Sequence, residues 1–144
     1  MPKKLKVDFT ELLGAFECGS VNEMFFLDLE TGEILYVPDS FTDPEEHERL
    51  TEEIDANFER YLRIPYIESY EGYADMEDFI SEIDEAHVHD LLEVAIQGKG
   101  AFRRFKDVLA RYPACREKWF KFKEERDIQR VKDWLEAEEI VIID

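Results

Sequence analysis

The stretch Glu23-Met24-Phe25-Phe26-Leu27-Asp28-Leu29-Glu30-Thr31-Gly32-Glu33-Ile34-Leu35-Tyr36-Val37 decides the fold. Two short apolar runs flank a turn in which Gly32 is free to take a positive φ, the signature of a β-hairpin. Side chains alternate along a strand, so Phe25, Leu27 and Leu29 share one face and Met24, Phe26 and Asp28 the other. Both faces are partly apolar. The hairpin is therefore expected to lie between helices or against a partner.

The flanking segments read as helices with one more early strand. Asp8 can cap a helix running to Cys18, with Glu11 completing a box-like start and Gly19 free to end it in the left-handed conformation. Asp43-Pro44-Glu45-Glu46 opens a second helix: a cap, a proline in the first turn, and acids at the positive end of the dipole. Leu50, Ile54 and Phe58 continue it at spacing four. Tyr61–Ile64 reads as a third strand, stopped by Pro65. From Tyr73 onward the apolar spacing is helical throughout. One segment carries Met76, Phe79 and Ile80, and the next Val88, Leu92 and Ile96. A basic helix carries Phe102, Phe105 and Leu109. The last helix, opened by Pro113, carries Trp119, Phe120, Val131 and Leu135. Ile140–Ile143 closes the chain as a possible short strand. The order predicts a single α+β domain over residues 1–144, with three to four antiparallel strands and five to six helices.

Composition agrees with a folded chain. Leu, Ile, Val and Phe occupy 42 of 144 positions, well above the level of roughly 20% that accompanies disorder in highly charged chains. No run approaches the roughly 18 apolar residues of a membrane span. The start, Met1-Pro2-Lys3-Lys4-Leu5-Lys6, has no apolar stretch after it and does not read as a secretory signal. Cys18 and Cys115 form neither a disulfide framework nor a zinc pattern, and the expected compartment is a reducing cytoplasm.

Charge is distributed unevenly. The net charge is −18, from 18 Lys and Arg against 36 Asp and Glu. Glu68–Glu93 holds ten acids and no Lys or Arg. Lys99–Lys123 holds nine bases against Asp107 and Glu117, a net of +7, which leaves −25 for the rest of the chain. Such asymmetry bears on partners rather than on fold.

Several segments in order resemble one family. Phe26-Leu-Asp-Leu-Glu-Thr-Gly-Glu-Ile34, Arg60-Tyr-Leu-Arg-Ile-Pro65, Met76-Glu-Asp-Phe79, Gly98-Lys-Gly-Ala-Phe-Arg-Arg-Phe-Lys106 and Trp119-Phe-Lys-Phe122 are similar to the uncharacterised bacterial family UPF0158. The Gly98–Lys106 run is the most specific of these. The resemblance implies a soluble bacterial cytoplasmic protein and transfers no activity and no catalytic residue.

Three places carry candidate chemistry. In the basic helix, Arg103, Arg104, Lys106 and Arg111 point largely away from Phe102, Phe105 and Leu109 on a helical wheel, and Gly98 and Gly100 leave backbone N–H groups free at its start. This segment suits an anionic partner, with nucleic acid foremost; the competing reading is internal pairing with the acids of 68–93. Most rings nearby have core spacing. Phe122 is turned about 200° from Phe120, so it is exposed, packed in a second layer or at a kink; if one ring of this set touches a partner, it is the one expected to do so. The second place is Glu85, His89 and Glu93, stacked at i, i+4 and i+8, a weak metal or acid–base set beside His87. A solvated helix face is the ordinary reading of it. The third is Cys115 in the first turn of the last helix, where Arg111, Arg116 and Lys118 would favour a thiolate. With no neighbouring histidine in sequence, a bystander thiol is the ordinary reading.

No Walker loop, dinucleotide fingerprint, nucleophile elbow or calcium loop is present, and no cofactor is expected. Nor is a stoichiometric metal. The favoured reading is a non-catalytic binding or regulatory module whose basic, aromatic segment 99–123 meets an anionic partner and whose acidic body meets a basic protein. The alternative is a small metal-assisted enzyme built on Glu85, His89 and Glu93.

Overall fold

A computed structural model describes residues 2–143. The chain gathers into two compact units: residues up to Ile67 with those from Asp127 onward, and Glu68–Arg126. The first holds all the strands described, the second most of the helices. They are called the sheet unit and the helical unit below.

In the sheet unit, β1 (Lys3–Leu5) leads to α1 (Phe9–Cys18), β2 (Met24–Asp28), β3 (Ile34–Val37), α2 (Pro44–Ala56) and β4 (Tyr61–Ile64). The strand order β3-β2-β4 is antiparallel throughout, so the hairpin read from the sequence forms and the third strand joins it. Gly32 takes φ +81°, and a Cβ there would come within 2.2 Å of the Lys6 carbonyl oxygen. The turn therefore requires glycine for its backbone conformation and for its space. Asp28 anchors the same turn: its Oδ1 accepts from the backbone N–H of Glu30 at 2.9 Å and of Thr31 at 3.3 Å.

Both faces of the sheet are covered, as their composition demands. Leu27 and Phe25 pack with Leu12 and Phe16 of α1 and with Val131 and Leu135, while Met24 and Phe26 pack with Leu50 and Ile54 of α2. A second, two-stranded sheet departs from the all-antiparallel expectation. β5 (Ile140–Ile142) runs parallel to β1 in the register Lys3↔Ile140 and Leu5↔Ile142. Leu5 and Ile140 are buried on the core side, and that burial outweighs the poor strand propensity of the three nearby lysines.

Two local expectations are corrected. Gly19 ends α1 in extended backbone, φ −68°, and is small because a Cβ would meet the Tyr66 Cβ at 2.9 Å. Phe58 does not extend the α2 stripe. Asn57 caps that helix, its side-chain amide donating to the Glu53 carbonyl at 3.0 Å, and Phe58 lies exposed beyond it.

The helical unit comprises α3 (Ser69–Ser81), α4 (Ala86–Ala95), α5 (Ala101–Arg111) and the first turns of α6 (Pro113–Ala137). Met76, Phe79, Val88, Leu92, Phe105 and Trp119 form its core. Phe79, Phe105 and Trp119 meet edge to face with centroids 4.8–6.4 Å apart, the geometry their ring quadrupoles favour. The Tyr73 hydroxyl donates to the Ile96 carbonyl at 2.8 Å and ties α3 to the end of α4.

Candidate functional site

The basic segment occupies α5 and the start of α6, and its cations have separate fates. Arg104 is structural. Its Nε donates to the Ala95 carbonyl at 2.8 Å, and its two terminal nitrogens donate to the carbonyls of Gln97 and Lys99. It thus satisfies carbonyls left open where α4 ends, a task no sequence spacing announces. Gly100, at φ +79°, brings the chain round so that Arg104 can reach back; a Cβ there would lie 3.0 Å from the guanidinium. Arg104 therefore leaves the expected ridge.

Lys123 is also engaged. Its Nζ lies 3.1 Å from Asp75, a fully buried carboxylate of α3, which Arg126 approaches at 3.1 Å from the other oxygen. Arg126 reaches Asp78 as well, at 2.8 Å. Internal pairing with the acids of 68–93 therefore holds for Lys123 and for Arg126, just outside the basic run. Among the described residues it does not extend to Arg103, Lys106 or Arg111: these three are exposed and have neither an ion pair nor a side-chain hydrogen bond.

The rings are arranged differently from the sequence expectation. Phe122 is half-buried and packs on the core, its centroid 5.4 Å from Phe79, with Arg126 over its outer face at 5.3 Å. Phe120 is the exposed ring of the pair, and Arg116 lies 5.1 Å above it. The reason lies in α6. Up to Arg126 its inward side carries Cys115, Trp119 and Phe122, and from Asp127 it carries Asp127, Val131 and Leu135. Reading one continuous stripe through the helix aligns Phe120 with the second set. In α5 the buried positions are Ala101, Phe105, Val108 and Leu109, which leaves Phe102 partly exposed. Successive helical residues are about 100° apart, so Phe102, Lys106 and Arg103 lie side by side on one outward face.

Arg111 turns elsewhere. It lines a cavity of about 690 Å³ whose walls include Phe79, Ile83, Val88, Tyr112 and Phe122, with Lys118 and Lys121 on α6. The acids Glu82, Asp84 and Glu85 line it from the α3 end and the α3–α4 turn. Cys115 also lines it, and burial pushes its thiol pKa up, with Lys118 opposing and Glu85 adding to the rise. Burial thus works against the thiolate that neighbouring cations and the helix start would favour, in the same direction as the ordinary reading of a bystander thiol.

The histidine set is rearranged too. His89 Nδ1 lies 3.3 Å from Asp90 and 3.4 Å from Glu93, and one ligand atom from each of the three falls within 4.8 Å of the others. Asp90 takes the place expected for Glu85, which instead precedes α4 and faces the cavity. His87 is exposed, with its ring 6.4 Å from Tyr112.

The fold and this layout define an α+β protein with an antiparallel three-stranded sheet and a helical unit carrying unpaired cations. The chain belongs to the uncharacterised protein family UPF0158, whose family model matches residues 2–143. A UPF0158 protein of Pseudomonas aeruginosa is 30% identical over 138 residues, covering 96% of this chain and 86% of that protein. A UPF0158 protein of Chlamydia pneumoniae is 35% identical over 126 residues, and one of Chlamydia trachomatis is 32% identical. The chain spans 38% of the length of each chlamydial protein. No solved structure matches the chain significantly. Among the described residues, no helix is long and apolar enough to cross a membrane.

Proposed function

We propose that the chain is a non-catalytic binding module of the bacterial cytoplasm that holds an anionic partner, nucleic acid first among them, on the outward face of α5. One observation carries this reading. Among the described residues, Arg103 and Lys106 stand exposed and unpaired beside the partly exposed Phe102, although the acids of α3 are close enough in the fold to hold Lys123 and Arg126. Cations beside an open ring suit a single strand, which offers phosphates and stackable bases together. The acidic remainder of the chain opposes long-range approach most at low salt, and added salt screens that repulsion while also weakening the contacts of Arg103 and Lys106 with phosphate. The acidic body, on the same reading, is available to a basic protein.

The test is a titration of fluorescently labelled single-stranded RNA at several salt concentrations. Binding whose log K falls linearly with log salt supports the reading. Absence of binding at low salt refutes it.

The rival reading is a metal-assisted enzyme, and the closeness of His89, Asp90 and Glu93 is what favours it. Metal analysis of the purified protein separates the two. One metal per chain, lost on His89→Ala, would replace the binding-module reading.

A further inference from the structure

We propose that the cavity of the helical unit binds a small amphiphile with an apolar body and a zwitterionic head, a carboxylate and an ammonium on one carbon framework. Its volume of about 690 Å³ lies within the roughly 300–1,000 Å³ typical of small-molecule sites. Its lining comes from the ends of α3 and α5, the α3–α4 turn, Val88 of α4 and the first turns of α6 from Pro113 to Glu125, which together wall an open bowl. The floor is aromatic and aliphatic, from Phe79, Ile83, Val88 and Phe122.

The rim specifies the head group. Lys118 and Lys121 of α6 and Arg111 at the end of α5 supply three cations, while Glu82, Asp84 and Glu85 supply acids from the α3 end and the α3–α4 turn and Glu125 a fourth acid from α6. Among the described residues none of these seven forms an ion pair within 4.0 Å, so the rim presents charges of both signs that no partner in the rim neutralises at contact distance. Both signs act within the bowl, since Lys118 and Glu85 pull the Cys115 thiol in opposite directions. A simple anion would meet the cations and be repelled by the acids; a simple cation would meet the reverse. A head carrying both charges complements both sets while its body covers the apolar floor. This site is independent of the anionic partner on α5, because Arg103 and Lys106 do not line it.

A set of probes sharing one fluorophore reads the head-group preference. These are ε-dansyl-lysine, with a zwitterionic head, dansylglycine, an anion, dansylcadaverine, a cation, and neutral dansylamide. Energy transfer from Trp119, whose ring stacks near Phe122 at 6.1 Å, reports occupancy. ε-Dansyl-lysine should bind about fivefold or more tightly than each of the other three, the effect of one exposed charge contact. Lys118→Glu with Lys121→Glu should shift preference toward dansylcadaverine. Glu82→Lys with Glu85→Lys should shift it toward dansylglycine. Ala114→Phe, at an exposed lining position, should block all four probes while the circular dichroism spectrum stays unchanged. Arg103→Ala with Lys106→Ala should leave probe binding as it was, so failure of the RNA reading and failure of this one are distinguishable. Equal affinity for the neutral probe, no response to either charge reversal, unhindered binding after Ala114→Phe, or no binding at all would each overturn the proposal.

Discussion

The arginines of the two units are used differently. In the sheet unit all four are engaged. Arg49 pairs with Glu46, Arg60 with Asp28, and Arg130 with Asp127, while Arg63 donates to the Ser20 carbonyl at 3.2 Å and lies over Phe26. In the helical unit Arg104 and Arg126 are fixed by carbonyls and carboxylates and Arg116 lies over Phe120, but Arg103 and Arg111 have no partner among the described residues. Supply of acids does not explain the difference. The helical unit has ten bases against fourteen acids, so an excess of carboxylates is present there as well. Geometry decides instead: Lys123 and Arg126 face α3, whereas Arg103 and Lys106 face outward. Cations left exposed in an acidic protein are available to something outside the chain.

The largest effect is expected at Asp75. Its carboxylate is fully buried between Lys123 and Arg126, and Asp75→Ala removes the carboxylate both cations share, leaving Arg126 its contact with Asp78. Breaking a buried pair in this way costs about 3–5 kcal/mol. The lower end is expected, because Arg126 keeps Asp78 and both cations keep part of their hydration, and urea denaturation measures it. A loss below about 1 kcal/mol would place this pair with ordinary surface pairs.

Arg104→Ala comes next. It removes the donors that serve three carbonyls and is expected to cost about 1–3 kcal/mol, again by urea denaturation. Arg103→Ala, one residue away on the same helix, should stay within about 0.5 kcal/mol of the parent. Equal costs at the two positions would erase the distinction between fixed and free cations.

The pair in the sheet unit should show itself through pH. The Arg60 guanidinium, bidentate on Asp28 at 2.8 and 3.0 Å, lowers the carboxyl pKa from 3.8 to about 2, helped by the Glu30 and Thr31 backbone N–H groups and opposed by burial. A pKa lower in the folded state means stability that is fully present above about 4 and is lost as pH falls toward about 2. Asp28→Asn should therefore be less stable than the parent at pH 6, and the gap should narrow steadily between pH 4 and pH 2 in thermal melts. A gap that does not change with pH would show that the salt link is not what holds the turn.

What the sequence revealed follows from how local each feature is. Asp8, Asp43-Pro44 and the Thr31-Gly32 turn set their own elements within three or four residues, and those elements stand where they were read. The parallel pairing of β1 with β5 joins segments near opposite ends of the chain, and no local pattern announces it. At the site, exposure of Arg103, Lys106 and Arg111 was legible from periodicity, because Phe105 and Leu109 define the inward side of α5. The use of Arg104 was not legible, since it depends on where α4 ends in space. Phe122 packs against the core while Phe120 is exposed because α6 has two inward sides, one before and one after Arg126. Asp90 was missed beside His89 because adjacent helical residues diverge by about 100° at Cβ, and only the reach of the side chains brings them together.

On the proposed reading the exposed cations of α5 serve a partner and do not hold the fold together. The most direct test of that reading is Arg103→Ala with Lys106→Ala, measured on one preparation for thermal stability and for salt-dependent binding of single-stranded RNA. The account predicts stability within about 0.5 kcal/mol of the parent. It also predicts weaker binding, with a log K against log salt slope flatter by about 1.4, the loss of two phosphate contacts. Absence of RNA binding by the parent at low salt, together with a clear loss of stability in the variant, would contradict it.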